Sequence, residues 1–306
     1  MPFPPLGSFT IDFLAALPQR WTMPISRFCC LLLATGLSVA APIARAQTNS
    51  KPVLGSSVYQ WDWIKSQAAT NDHGSFARVF NSATATLNNL ECHVTVLEPS
   101  KASHEPHHHP EEEVVIIREG TVEALINNEW KRVGPGSIVF NACNVTHDLR
   151  NVGTAPAVYH VLSWKSSLTP SKTTHTDTFE DSKYAAKDGI MGPLAMDWNS
   201  VAVTTTTNGF SRQFFDSRIA TADELEFHAT TVNPGQSSHS PSAHADAREE
   251  VIIVREGTVE AYVKGEWKRV GPGGVIFNAS HEMQAVRNVG DTPATYFVLM
   301  WQSHAS

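Results

Sequence analysis

An all-β fold of two tandem barrel or sandwich modules is what this sequence predicts, and three observations carry the prediction. Residues 113–136 return as residues 250–273, identical at 18 of 24 positions, and the offset of 137 holds without a gap from His107 to Trp164. Self-similarity of that strength marks one structural unit present twice. Within each copy, short Val- and Ile-rich runs such as Glu113–Arg118, Thr121–Ile126, Ser137–Asn141 and Val158–Trp164 are bounded by turn residues, the signature of strands. Neither copy shows an amphipathic helix of three turns, and many short, evenly spaced strands indicate a sandwich or barrel.

Taken in chain order, residues 1–46 read as an export signal. Arg27 precedes an apolar stretch from Phe28 to Ala41, and Ala44-Arg45-Ala46 offers a small-x-small cleavage site before Gln47. The stretch falls short of the roughly 20 apolar residues a membrane span needs. Met23 is the expected start, and Cys29 and Cys30 leave with the signal. The expected location is periplasmic or secreted. The first module covers residues 57–165, a Ser-, Thr-, Lys- and Asp-rich linker covers 166–193, and the second module covers 194–306. Towards the start of the modules, Asp62-Trp63 matches Asp197-Trp198, and Leu90-Glu91-x-His93 matches Leu225-Glu226-x-His228, both at an offset of 135. The change from 135 to 137 places a two-residue insertion in the second copy between His239 and His244. Asn127-Asn128 and Lys264-Gly265 fit tight hairpin turns with positive φ, and Gly134-Pro135-Gly136 breaks the chain before the next strand.

Charge excludes some function classes. The chain carries a net charge of −7, and without residues 1–46 it holds 20 basic against 29 acidic residues with no basic run. Nucleic-acid and anionic-membrane partners are therefore not expected. A small-molecule substrate is, and a homo-oligomer is left open. Cys92 and Cys143 face Phe227 and Ser280 in the other copy, so no disulfide framework is shared and two buried thiols are expected.

The chemistry concentrates in His107, His109, Glu113 and His147. Imidazole nitrogens and a carboxylate suit Fe, Mn, Cu, Ni or Zn as divalent ions. His107 and His109 point the same way on an extended segment, because strand side chains alternate. Burying three imidazoles and a carboxylate without a partner would be costly. His108 turns to the opposite face, where solvation is expected.

The frame around these residues resembles the cupin family. His107-x-His109, three residues, Glu113, six residues and Gly120 follow the family's first motif. Gly136, His147 and Asn151 fall in the register of the second, with Ala142 and Asn144 where Pro and Gly are usual. The resemblance covers nearly all of the chain beyond the signal and implies a bicupin, two tandem double-stranded β-helix (jelly-roll) barrels. It implies a 3-His-1-Glu ion in the first, held by His107, His109, Glu113 and His147.

In the second copy His244, Asp246, Glu250 and Gln284 align with the four ligands. All offer a lone pair, so a weak site is conceivable, with His281 as a substitute imidazole. A decayed site kept as a structural partner is the favoured reading. His93 and His228, and His104 and His239, match across copies and suit a barrel mouth. Glu119 and Glu256 are expected to be solvated turn residues, and Trp130 and Trp267 to be packing residues. The expected function is a metal-dependent enzyme acting on a small chelating substrate, with a dioxygenase favoured. Glu113 would double as a base and His104 as a proton shuttle. An isomerase or hydrolase such as an aminohydrolase, or a non-catalytic binding protein, are the alternatives.

Overall fold

The computed structural model describes residues 52–170, 189–244 and 246–303. The export signal read in residues 1–46, Met23, Cys29 and Cys30, and residues 171–188 of the linker lie outside them. The first half runs β1 (Ser57–Tyr59), α1 (Trp61–Ser66), β2 (Ala69–Asn71), β3 (Gly74–Ser82), β4 (Asn89–Leu97), β5 (Glu112–Glu119), β6 (Val122–Ile126), β7 (Glu129–Val133), β8 (Ile138–Asn141), β9 (Leu149–Asn151) and β10 (Ala157–Lys165). The second half repeats the series: β11 (Leu194–Met196), a 3-10 turn (Trp198–Ser200), β12 (Thr204–Thr206), β13 (Gly209–Ser217), β14 (Glu224–Val232), β15 (Glu249–Glu256), β16 (Val259–Val263), β17 (Glu266–Val270), β18 (Val275–Asn278), β19 (Val286–Asn288) and β20 (Ala294–Gln302). Each half is a seven-stranded antiparallel sheet facing a three-stranded one, ordered β7-β6-β9 in the first and β17-β16-β19 in the second. These are the two jelly-roll barrels the sequence predicts.

Local chemistry sets the turns. Asn127 and Asn128 sit at φ 51° and 64°, Lys264 and Gly265 at 53° and 84°, the left-handed pair that a two-residue hairpin requires. Gly120 ends β5 at φ 84°, and a Cβ there would stand 2.7 Å from the Ala157 Cα, so only glycine fits.

The strands leading into each module are exchanged. β1 pairs antiparallel with β18, Ser57 opposite Phe277, and β11 pairs with β8, Leu194 opposite Phe140. Each half thus supplies the outer strand of its partner's larger sheet. This corrects the matching of Trp63 with Trp198. The Arg118 guanidinium covers Trp61 at 4.3 Å and the Arg255 guanidinium covers Trp198 at 3.7 Å. Trp61 therefore stands where Trp198 stands. The offset is 137 there and falls to 135 only by β3 and β13, because the six-residue α1 replaces a three-residue turn.

Between the modules lies a shared apolar core. Phe80 packs on Phe277 and Phe140 on Phe215, with ring centroids 6.2 and 6.1 Å apart. At about 1.5–3 kcal/mol for each large apolar side chain fully buried, fully enclosed residues such as Phe140, Phe227 and Phe277 bind the halves firmly. Two buried carboxylates clasp the seam. Glu249 accepts hydrogen bonds from Thr84 and Thr86 hydroxyls, both at 2.5 Å. Glu112 accepts from the Thr221 hydroxyl, which in turn accepts from Trp164 Nε1 at 3.0 Å. Cys92 and Cys143 are free and buried, and burial pushes the Cys143 thiol up to about 12. Among the described residues no helix is long and apolar enough to cross a membrane.

Candidate metal centre

The first barrel opens on a cavity of about 760 Å³. Its floor is assembled from three pieces of chain. The His107-x-His109 segment runs antiparallel to His147, with His107 N–H donating to His147 O at 3.1 Å and His147 N–H to His107 O at 2.9 Å. Glu113 enters from β5. Asn144 turns the chain just before His147, at φ 56° with its N–H bonded to His109 O at 2.8 Å. Its left-handed conformation is the one the glycine usual at this place would supply.

Hydrogen bonding selects the tautomers. His107, His109 and His147 each place Nδ1 within 3.2, 3.0 and 2.8 Å of a backbone carbonyl, those of Glu105, Glu111 and Val145. A carbonyl only accepts, so each Nδ1 carries a proton, and in the neutral ring Nε2 keeps its lone pair. The three imidazoles offer ligand atoms within 4.8 Å of one another. Glu113 closes the set, Oε1 lying 3.5 Å from His147 Nε2 and Oε2 3.7 Å from His109 Nε2. His147 Nε2 is buried with no hydrogen-bond partner, an arrangement that costs free energy unless a cation is taken up.

The electrostatics agree with that use. Burial pushes the His147 imidazole down to about 4, against the pull of Glu113. Burial, with His104 and His109 beside it, lowers His107 as well. Burial alone would raise the Glu113 carboxyl, but His147, His109 and the Asn141 amide outweigh it and hold it below the ordinary value. Neutral imidazoles beside a carboxylate are the protonation states a divalent ion requires. Asn141, which the sequence reading did not single out, donates from Nδ2 to Glu113 Oε1 at 2.7 Å and fixes the carboxylate. Its twin Asn278 holds Glu250 at 2.8 Å. Identity of the two copies at this strand end was the signal available.

Above the floor stand His93, Thr95, Ser103, His104 and Tyr159. The Tyr159 hydroxyl is hydrogen-bonded with Thr95 and Ser103. Glu91 lies 3.4 Å from His93 Nδ1, and the hydrogen bond to His93 lowers its carboxyl. His104 is exposed at the rim, its ring 4.8 Å from that of His107. His108 is half-buried and does not line the cavity. Glu119 and Glu256 are exposed beside Arg118 and Arg255. Trp130 and Trp267 lie under Arg150 and Arg287 at 3.9 and 4.1 Å, outside both cavities.

The second module corrects the alignment of its ligands. Ser242 bridges Gln284, N–H to O at 3.1 Å and back at 2.9 Å, so Ser242 and not His244 occupies the place of His107. His244 Nε2 lies 3.7 Å from Glu250 Oε2, the same distance and partner type as His109. The two-residue insertion therefore follows His244. Asp246 lies in that stretch and turns out to Arg248, with Oδ2 3.0 Å from Nε. His281 is exposed at φ 60° and lines no part of the second cavity. Two imidazoles, those at Ser242 and Gln284, are lost from the floor. Gln284 Nε2 sits 3.3 Å from His244 Nε2, and the hydrogen bond to Glu250 raises the His244 imidazole, the opposite of what a metal-binding nitrogen needs.

Residues 93–163 and 229–300 each match the family model described as the cupin domain. No curated protein matches the chain. Among solved structures, a protein of Pseudomonas aeruginosa described as glyoxylate-induced is 14% identical over 82% of this chain and 91% of its own, at a TM-score of 0.60. The formate complex of Lactobacillus farciminis oxalate decarboxylase is 12% identical over 83% and 88%, also at 0.60. Bacillus subtilis oxalate decarboxylase, with Mn(II) centres, is 14% identical over 83% and 79%, at 0.58.

Proposed function

The chain is a two-module cupin, and from that premise we propose an exported metal-dependent enzyme. Its first module acts on a small uncharged molecule with two neighbouring oxygen donors, by dioxygenase-type oxidation. The observation that carries the reading is the convergence of three Nε2 lone pairs and the Glu113 carboxylate on the floor of a polar cavity. His107, His109, Glu113 and His147 would hold the ion. When bound, a divalent Fe, Mn, Cu or Ni supplies Lewis acidity and redox capacity, and Zn Lewis acidity alone.

The residues around that floor define the rest. Among the described residues lining the cavity there is no arginine, and the lysine, Lys165, is engaged by Glu111 at 2.7 Å. A dicarboxylate would find no guanidinium fork, whereas Thr95, Ser103 and Tyr159 offer hydroxyls to a hydroxylated neutral ligand. Asn141 engages Glu113 Oε1 and leaves Oε2 available to accept a proton from a substrate hydroxyl. His104, at the rim, can pass that proton to solvent. Those two groups also favour a second reading, proton-transfer chemistry such as isomerisation or hydrolysis. Export to the periplasm or beyond is supported by Arg27, the apolar run Phe28–Ala41 and the site at Ala44–Ala46.

Elemental analysis of protein purified from its native compartment, followed by oxygen uptake with catechol and dihydroxyacetone, tests the reading. The expected result is about one transition ion per chain and oxygen consumption abolished by a chelator and by His147→Ala. Product without oxygen consumption selects the proton-transfer reading. Metal-loaded protein that changes neither compound overturns the enzyme reading and leaves a binding protein.

A further inference from the structure

The second barrel has lost the floor of a metal site but has kept its walls. His228, Thr230, Ser238, His239 and Tyr296 repeat, position for position, the five wall residues described above in the first cavity. The strand registers agree, Thr230 opposite Tyr296 as Thr95 is opposite Tyr159. Tyr296 is hydrogen-bonded with Ser238 and Thr230, as its twin is with Ser103 and Thr95. The cavity has also stayed open, at about 430 Å³, room for a small organic molecule or on the order of ten waters at roughly 30 Å³ each.

A site abandoned to packing would cost less if large apolar side chains filled it, because buried polar groups must be served. Instead Glu250 and Gln284, each 5% exposed, remain on the floor within a hydrogen-bonded set. Asn278 donates to Glu250, and Gln284 and Glu250 both meet His244. With Ser242 and Gln284 in place of two imidazoles, the set lacks the nitrogen donors that hold a first-row ion. It retains donors and acceptors suited to hydroxyl groups.

We propose that the second module is a metal-independent binding site for a small uncharged molecule bearing neighbouring hydroxyls, the ligand class assigned to the first module. The ligand class rests on the function proposed above; the existence of the site rests on the retained walls. Hydrogen bonds from Gln284 and Thr230 replace the ion as the grip, while Ser238, whose hydroxyl donates to the Val286 carbonyl at 3.2 Å, braces Tyr296 beside them.

The test is anaerobic calorimetry of catechol binding to the full chain after chelator treatment, compared with a Thr230→Val/Gln284→Leu variant. The stripped parent is expected to bind catechol, and the variant to lose one equivalent or at least tenfold in affinity. Metal uptake by the first module, unchanged in the variant, reports that the variant is folded. The proposal is overturned if the stripped parent binds no catechol or if the variant binds as the parent does. It is also overturned if the parent takes up a second metal ion that His244→Ala removes. Loaded protein that converts no substrate, while the stripped chain still binds catechol at these residues, would sink the enzyme reading and leave this site standing.

Discussion

Asn141 and Asn278 form a matched pair, one beside the floor proposed to hold an ion and the other beside a floor where Ser242 and Gln284 stand in place of two imidazoles. Asn141 Nδ2 holds Glu113 Oε1 at 2.7 Å, and Asn278 holds Glu250 at 2.8 Å. Each side chain is about equally enclosed, at 5% and 4% exposure. A hydrogen bond to a charged carboxylate contributes about 1.5–3 kcal/mol, which corresponds to roughly 10–100-fold in an equilibrium constant. Loss of a group that orients a metal ligand weakens metal binding by a similar 10–100-fold. Asn141→Ala is thus expected to weaken Zn(II) or Mn(II) binding by about that factor, while Asn278→Ala leaves it unchanged. Competition against a chromophoric chelator measures both. Equal losses in the two variants, or none in Asn141→Ala, would refute the assignment of the ion to the first module and of Glu113 to its ligand set.

Two further outcomes follow from buried groups outside the site. Thr221→Val leaves Trp164 Nε1 without its partner and takes one hydrogen bond from the buried Glu112, which keeps backbone donors; at about 1–3 kcal/mol for the unserved indole and about 1 kcal/mol for the lost bond, denaturant unfolding should show a loss of about 2–4 kcal/mol with metal content retained, and a loss under about 1 kcal/mol would deny the clasp. His160 is fully enclosed, its Nε2 3.1 Å from the Gly273 carbonyl, and burial pushes its imidazole down to about 4. Because the folded value lies below the unfolded one of about 6.5, its contribution is complete above pH 6.5 and is lost as the pH falls towards 4. The loss amounts to about 3 kcal/mol at 1.4 kcal/mol per unit. Unfolding titrations of the parent and of His160→Gln across that window should differ by this amount, and parallel curves would contradict it.

Much of this arrangement could be read from the chain, and the exceptions have physical causes. The duplicated strands, the hairpin turns at Asn127-Asn128 and Lys264-Gly265, and the two barrels follow from local chemistry that acts the same way in any context. The convergence of His107, His109 and His147 was legible because an alternating pair and a fixed spacing to Glu113 constrain each other. The register of the second floor was not. Residue matching put the inserted pair before His244, while backbone pairing of Ser242 with Gln284 puts it after, and only hydrogen-bond geometry decides between them. α1 escaped notice because six residues make less than two turns, too few for a period, and Gln60 provides no side-chain cap. The exchange of β1 and β11 is silent in sequence because either module's edge would accept either strand.

That exchange makes each half incomplete by itself. A fragment ending near Lys165 would leave β8 without Leu194–Met196 and expose a row of unpaired amides and carbonyls, while its own Ser57–Tyr59 would dangle without β18. Bare edges of this kind recruit foreign strands. Proteolytic or genetic separation of the halves would therefore yield sticky, self-associating pieces in place of two small soluble proteins, and swapping a barrel in from a relative demands that its leader travel with the opposite half.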